Sequence, residues 1–286
     1  MTQPKSEDEL IFGKNAVLAF LEQCKSAHGE RQGRKAGPSK VSVNKVYIAT
    51  GLHHDRRMEQ VRVLCRELKI PIIESERKKL DTMLPREQRE NNNHQGVIAQ
   101  VSAAEFLGLE EFFKDLDSER EHVQKSGGKD PIDTFAVAVL DGIEDPHNLG
   151  AIVRVAEAAG LKAIILPNRR SAGLTGTVAK TSAGALANMP IVRITNLTNA
   201  LTKLKDYGFW IAGLSVAADC NYFQADLKRP MALVIGSEGE GMGRLVEKNC
   251  DMLLRIPMLG KTQSLNASVA SGIVFYEFVR QKMLNS

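Results

Sequence analysis

The chain has no apolar run near the roughly 18–20 residues needed to cross a bilayer, so no membrane span is expected. Its opening, MTQPKSEDEL, carries acids and lacks an apolar h-region. That reads as neither a secretory signal nor an Arg-rich transit peptide, and the expected location is the cytoplasm. Cysteine is sparse: Cys24, Cys65, Cys220 and Cys250 are scattered, with no CxxC pair. A zinc cluster is therefore not expected, and the thiols read as reduced and mostly buried, with a catalytic thiolate the rarer alternative. Phosphate-loop signatures are missing too. GSEGEG (Gly236 to Gly241) has the wrong spacing for a dinucleotide fingerprint and no Lys-Ser or Lys-Thr after it, which disfavours a nucleotide-dependent oxidoreductase.

What is present is an ordinary globular composition, 43% hydrophobic and 25% charged, over 286 residues, a length suited to two domains. The net charge is only +4, but it is unevenly spread. Lys25 to Lys69 holds 11 bases and 4 acids, whereas Glu105 to Glu121 holds 7 acids and 2 bases. A basic N-terminal stretch before an acidic connector suggests a polyanion partner; a solvated mixed-charge surface is the plainer reading.

Leu10 to Gln23 has helical spacing of Val17, Leu18 and Leu21, with Asn15 as N-cap. Ser26 to Lys40 reads as a basic loop. Lys45 to Ala49, Pro71 to Ile73 and Gly96 to Ala103 read as strands, and Asp55 to Leu68 and Lys78 to Leu84 as helices. Residues 1–103 thus form a small α/β sandwich. Residues 104–133 read as an acidic and Gly-rich linker with one short helix near Leu107 to Leu116.

From 134 to 286 the pattern changes. Phe135 to Leu140, Ala163 to Leu166, Ile191 to Ile194, Phe209 to Leu214 and Met231 to Ile235 are nearly continuous apolar runs separated by helical stretches. Strands buried on both faces look like this, so the fold class is α/β with a mostly parallel sheet and helices on both sides. Ligands in such sheets bind off the carboxyl ends of the strands. Three blocks follow strands there: DPHNLGAIVRVAEAAG (Asp145 to Gly160), LVIGSEGEGM (Leu233 to Met242) and RIPMLGKTQSLNASVA (Arg255 to Ala270).

Two acids in GSEGEG would repel a phosphate, so the loop suits a ligand with a cationic or hydroxyl-bearing part, approached by glycine backbone. A plain tight turn is the alternative. Asn148 lies near a helix start, where its side chain can cap or meet a ligand. Arg154 sits in an otherwise apolar helix and needs an anion or acceptor network, or else a salt bridge to Glu157 or Glu238. Ser264, Leu265 and Asn266 stand at the mouth of a helix running to Met283, apolar nearly all round and hence buried in a core or a subunit interface.

As a set, the three blocks resemble motifs one, two and three of the SpoU/TrmH branch of the SPOUT methyltransferases. FGKNAV (Phe12 to Val17) and NNNHQGV (Asn91 to Val97) further resemble the bacterial 23S rRNA guanosine 2′-O-methyltransferase subgroup, the RlmB type. The resemblance covers about residues 10 to 283 and implies a C-terminal trefoil knot, an S-adenosylmethionine pocket, homodimers through the C-terminal domain, and an RNA-binding N-terminal sandwich. By motif position, Gly236, Ile256 and Leu265 would hold the cofactor, with Gly213 and Met258 nearby. Arg154 would stand at the ribose hydroxyl, as base or as cation. Asn148 would orient the ribose or that arginine, Glu238 would hold Arg154 or its own loop, and Ser264 and Asn266 would complete the network. No metal is implied. A tRNA substrate, or a non-catalytic RNA-binding or ribosome-assembly factor of the same fold, are the rival readings. Lys261 and the length of the loop from Arg31 to Lys40 depart from the pattern.

Overall fold

In the computed structural model the described residues are 9–29, 43–51, 55–84, 94–101, 106–174 and 176–284. The chain divides into two compact units. The first is Met1–Glu105 with Leu174–Asn188, and the second is Phe106–Gly173 with Met189–Ser286. Asn91 to Asn93, Ser102, Ala103 and the basic loop from residue 30 to residue 40 lie outside the described residues.

The first unit holds strands β1 (Glu9–Phe12), β2 (Val43–Ala49), β3 (Ile72–Ser75) and β4 (Val97–Val101) in the order β1-β4-β2-β3. Its helices are α1 (Lys14–Gly29), α2 (Arg56–Glu67), α3 (Arg77–Met83) and, from the later segment that joins it, α6 (Gly176–Thr181). The fourth strand, β1, was not expected. Leu10 to Phe12 pair with β4 instead of opening the helix. Gly13, at φ +95, makes the left-handed break that lets helix begin at Lys14, so Asn15 lies inside the helix and does not cap it. Ser26 to Gly29, expected as loop, continue that helix. Met58, Val61, Leu64 and Cys65 form the buried stripe of α2, as their spacing predicts.

The second unit is a seven-stranded sheet of β5 (Ala136–Asp141), β6 (Ala163–Pro167), β7 (Ile191–Ile194), β8 (Trp210–Leu214), β9 (Cys220–Asn221), β10 (Met231–Gly236) and β11 (Met252–Arg255). Their order is β7-β6-β5-β10-β8-β11-β9, and every pairing is parallel. The five expected strands are all present. The two further strands are short: β9 has two residues, and β11 has an apolar run of only three, Met252 to Leu254, with Leu254 alone buried. Val137, Val139, Ile165, Ile211 and Val234 point to one face, covered by α4 (Leu109–Lys125), α7 (Leu197–Tyr207) and α8 (Arg244–Lys248). In this sheet α5 (Pro146–Ala158) follows β5, and it packs on α9 (Ala267–Met283), which also meets β10.

The acidic segment read as a linker contains α4, 17 residues long, whose Leu109, Phe112 and Leu116 are buried in the second unit's core. Each such side chain contributes roughly 1.5–3 kcal/mol of burial. The acids lie on its outer face, and that outer face is what composition registers.

Candidate active site

Register places the site. Gly236 pairs with Asp141 and Val234 with Gly213, so the carboxyl ends of β5, β10 and β8 lie side by side. The loops that follow β10 and β8, with the segment after β11, surround a cavity of about 480 Å³. Its apolar wall includes Leu214, Ile235, Ile256, Met258, Leu265 and Ala270. Its polar groups include Glu238, Glu240 and Glu247, and no lysine or arginine among the described residues lines it. Glu240 is paired at the lip with Arg170 at 3.0 Å, and the carboxylates of Glu238 and Glu247 have no cation among the lining residues, which leaves the cavity electronegative and suited to a cationic ligand.

Gly236 is required by the loop itself. A Cβ there would lie 2.2 Å from the Gly241 carbonyl carbon and 2.4 Å from the Met242 nitrogen. The loop folds back so tightly because Ser237 and Gly241 exchange backbone hydrogen bonds, each at 3.0 Å. Gly239 (φ +97) and Gly241 (φ +70) supply the left-handed turn. Gly236, Ile256, Met258, Ser264 and Leu265 line the cavity. Gly213 does not. Its α-carbon faces Cys250 Sγ at 2.6 Å and Met242 Cε at 2.7 Å from an added Cβ, so it packs behind the wall.

Beside the cavity three side chains from separate blocks meet. Asn266 Nδ2 donates to Asn148 Oδ1 at 2.8 Å and to Glu238 Oε2 at 3.1 Å. The Asn266 Oδ1 accepts from the Ser268 amide at 2.9 Å and so caps α9. Asn148 is free to reach Asn266 because Asp145 caps α5, accepting from the His147 amide at 2.9 Å, with Pro146 in the first turn. Gly272 of α9 stands over Val155 of α5, where an added Cβ would meet Cγ1 at an ordinary contact distance of 3.6 Å.

Arg154 is exposed on α5 and makes no hydrogen bond or ion pair among the described residues. Glu238, expected to hold Arg154 or its own loop, turns its carboxylate to Asn266. Ser264 is exposed at the cavity rim. Sequence reading missed Asp141, whose carboxylate accepts from the Gly243 amide at 2.7 Å and fixes the end of the GSEGEGM loop. It also missed Ser215 to Ala217, which line the cavity after β8. The strand-end rule alone pointed to both.

The arrangement is that of a parallel α/β unit with a pocket for a small cationic ligand and an amide–carboxylate cluster at its lip. Residues 136–276 match the model of the SpoU rRNA Methylase family, and residues 10–107 match the model for RNA 2'-O ribose methyltransferase substrate binding. The YacO protein of Bacillus subtilis (strain 168), which bears a TrmH family tRNA/rRNA methyltransferase name, is 38% identical over 276 residues, covering 96% of this chain and 97% of its own. A protein of Staphylococcus haemolyticus with the same family name is 36% identical over 96% of this chain and 97% of its own. In fold, the chain is similar to the SpoU methyltransferase AviRb from Streptomyces viridochromogenes, solved in complex with AdoMet. The TM-score is 0.69 at 22% identity, covering 98% of this chain and 92% of that one. The chain belongs to the SpoU/TrmH family of RNA methyltransferases.

Proposed function

We propose that this protein methylates a ribose 2′-oxygen of RNA, a guanosine of 23S ribosomal RNA, with S-adenosylmethionine as donor, in the cytoplasm. The observation that carries the reading is the convergence of Asn148, Glu238 and Asn266 at the lip of an acid-lined cavity in a chain of this family.

The cavity fits the donor by its chemistry. Glu238, Glu240 and Glu247 offer negative charge to a sulfonium, while Ile256, Met258 and Leu265 offer an apolar slot beside exposed backbone. When bound, S-adenosylmethionine supplies an electrophilic methyl group. The chain is left to align the ribose oxygen, which is worth several kcal/mol, and to stabilise the charge that grows on it as its proton passes to solvent water.

Arg154 is the residue for that second task. Its planar guanidinium would stand as a positioned cation where charge develops on the ribose oxygen. The Asn148–Asn266–Glu238 cluster orients the ribose, and Ser264 completes the rim. The first unit docks the RNA, a reading supported by its match to the substrate-binding model over residues 10–107.

Two further features of the reading have support in the second unit. A second copy would seat on α9, where Val269, Tyr276 and Met283 recur every seven residues and are 52%, 51% and 74% exposed. The knotted threading is assigned to the segment around β11, the last strand, which lies between the earlier β8 and β9.

The test is transfer of labelled methyl groups to bulk rRNA and tRNA, followed by site mapping. Label on a 23S guanosine is expected. Label on tRNA alone would move the substrate, and label on neither would overturn the reading.

A further inference from the structure

Arg193, on β7, is half-buried and has no carboxylate partner among the described residues. It spends its guanidinium on the loop after β6. Nη1 donates to the Pro167 carbonyl at 2.7 Å and to Ser171 Oγ at 2.6 Å, and Nη2 donates to the Ala172 carbonyl at 3.1 Å. The ring of Phe106 covers it at 4.4 Å. Backbone bonds pin both ends of the same loop: Asn168 N donates to Ile194 O and Ala172 N to Ile143 O, each at 2.8 Å.

The held loop presents Arg169 and Arg170 to solvent. Arg170 is in the left-handed region at φ +55, a conformation costly for a side chain with a Cβ. Its Nη2 meets Glu240 Oε2 at 3.0 Å and its Nε lies 3.8 Å from Glu144 Oε1. Both partners are exposed, and exposed pairs of this kind contribute little to stability. Strain and five anchoring hydrogen bonds exceed what such a pair needs.

Glu240 lines the cavity, so Arg170 is a cation set at the cavity's lip. An RNA chain bringing a ribose there meets the carboxylates of Glu238, Glu240 and Glu247, which repel its phosphates. We propose that Arg170 is a substrate-binding residue that grips an RNA phosphate at the lip of the cavity, with Glu240 and Glu144 holding its guanidinium in place beforehand. Arginine suits this role because its planar fork carries five donors, and a single hydrogen bond of Arg170, to Glu240, forms among the described residues. The inference rests on the RNA methyltransferase reading above.

The experiment measures binding of bulk ribosomal RNA across a salt series, and methyl transfer in parallel, for the full chain and for Arg170→Ala, Arg170→Lys and Glu240→Gln. Arg170→Ala should weaken RNA binding about tenfold and flatten the slope of log affinity against log salt by about one ion. KM for RNA should rise with kcat nearly constant. Arg170→Lys should keep the wild-type slope, and Glu240→Gln should keep that slope too and weaken binding less than Arg170→Ala, because the guanidinium remains and only one of its two tethers is lost. A wild-type slope for Arg170→Ala would overturn the proposal. So would equal weakening by Arg170→Ala and Glu240→Gln, the result expected if the pair only shapes the loop. Should Arg170→Ala not fold, Arg170→Gln gives the same comparison. Wild-type protein that methylates no RNA would sink the underlying reading instead, whatever the variants do.

Discussion

Asn266 and Asn148, 118 positions apart, share a hydrogen bond of 2.8 Å that ties the start of α9 to the start of α5. Asn266 does two jobs at once, because its oxygen caps α9 while its nitrogen serves Asn148 and Glu238. The two jobs separate by substitution. Asn266→Ala should cost about 0.5–2 kcal/mol of stability through the lost cap. Asn266→Asp keeps the capping oxygen but sets a carboxylate against Glu238. Methyl transfer should fall at least about tenfold in both, the equivalent of one lost hydrogen bond to a charged group. Denaturant melts beside initial rates check this, and an active Asn266→Asp would remove the cluster from the mechanism.

Arg154→Ala should leave stability within about 0.5 kcal/mol, since the side chain is exposed. Donor binding by calorimetry should persist, while transfer falls by about 10²–10³, the usual loss of one group aimed at developing charge. Full residual methylation would end the assignment.

Gly236→Ala and Gly239→Ala should diverge. The first forces a Cβ to within 2.5 Å of the Gly241 and Met242 backbone, so the loop must open, at about 1–3 kcal/mol, and donor affinity should drop with it. The second meets nothing within 4 Å and bears only the strain of φ +97, about 1–2 kcal/mol. Equal donor affinities for the two variants would show that the loop does not form the pocket wall.

Burial pushes the Cys65 thiol up to about 11 and the Cys250 thiol up to about 12. A raised thiol pKa means that the reactive thiolate is absent until the pH rises through those values. Mass spectrometry after alkylation at about pH 8, below the free-thiol pKa of roughly 8.5, should find both unmodified in native protein and both modified in denaturant. Native labelling of Cys250 would show that the packing of Gly213 and Met242 against it opens in solution.

The sequence alone settled the elements whose evidence is local. The five core strands of the second unit are continuous apolar runs because they are buried on both faces, and periodicity reads that directly. The stripe of α2 and the three blocks that follow strands were legible for the same reason, as neighbouring residues carry the signal. Strand β1 was misread because Leu10 to Phe12 fit either helix or strand, and its choice is made by hydrogen bonds to the distant β4. The acidic α4 looked like a linker because composition cannot tell an exposed face from an exposed segment. Only the tertiary structure decided that Glu238 turns to Asn266 and not to Arg154, that Gly213 packs behind the wall, and that Arg170 stands at the cavity's lip. Those are distances between side chains on separate loops, and loops meet only where the register of a parallel sheet brings strand ends together.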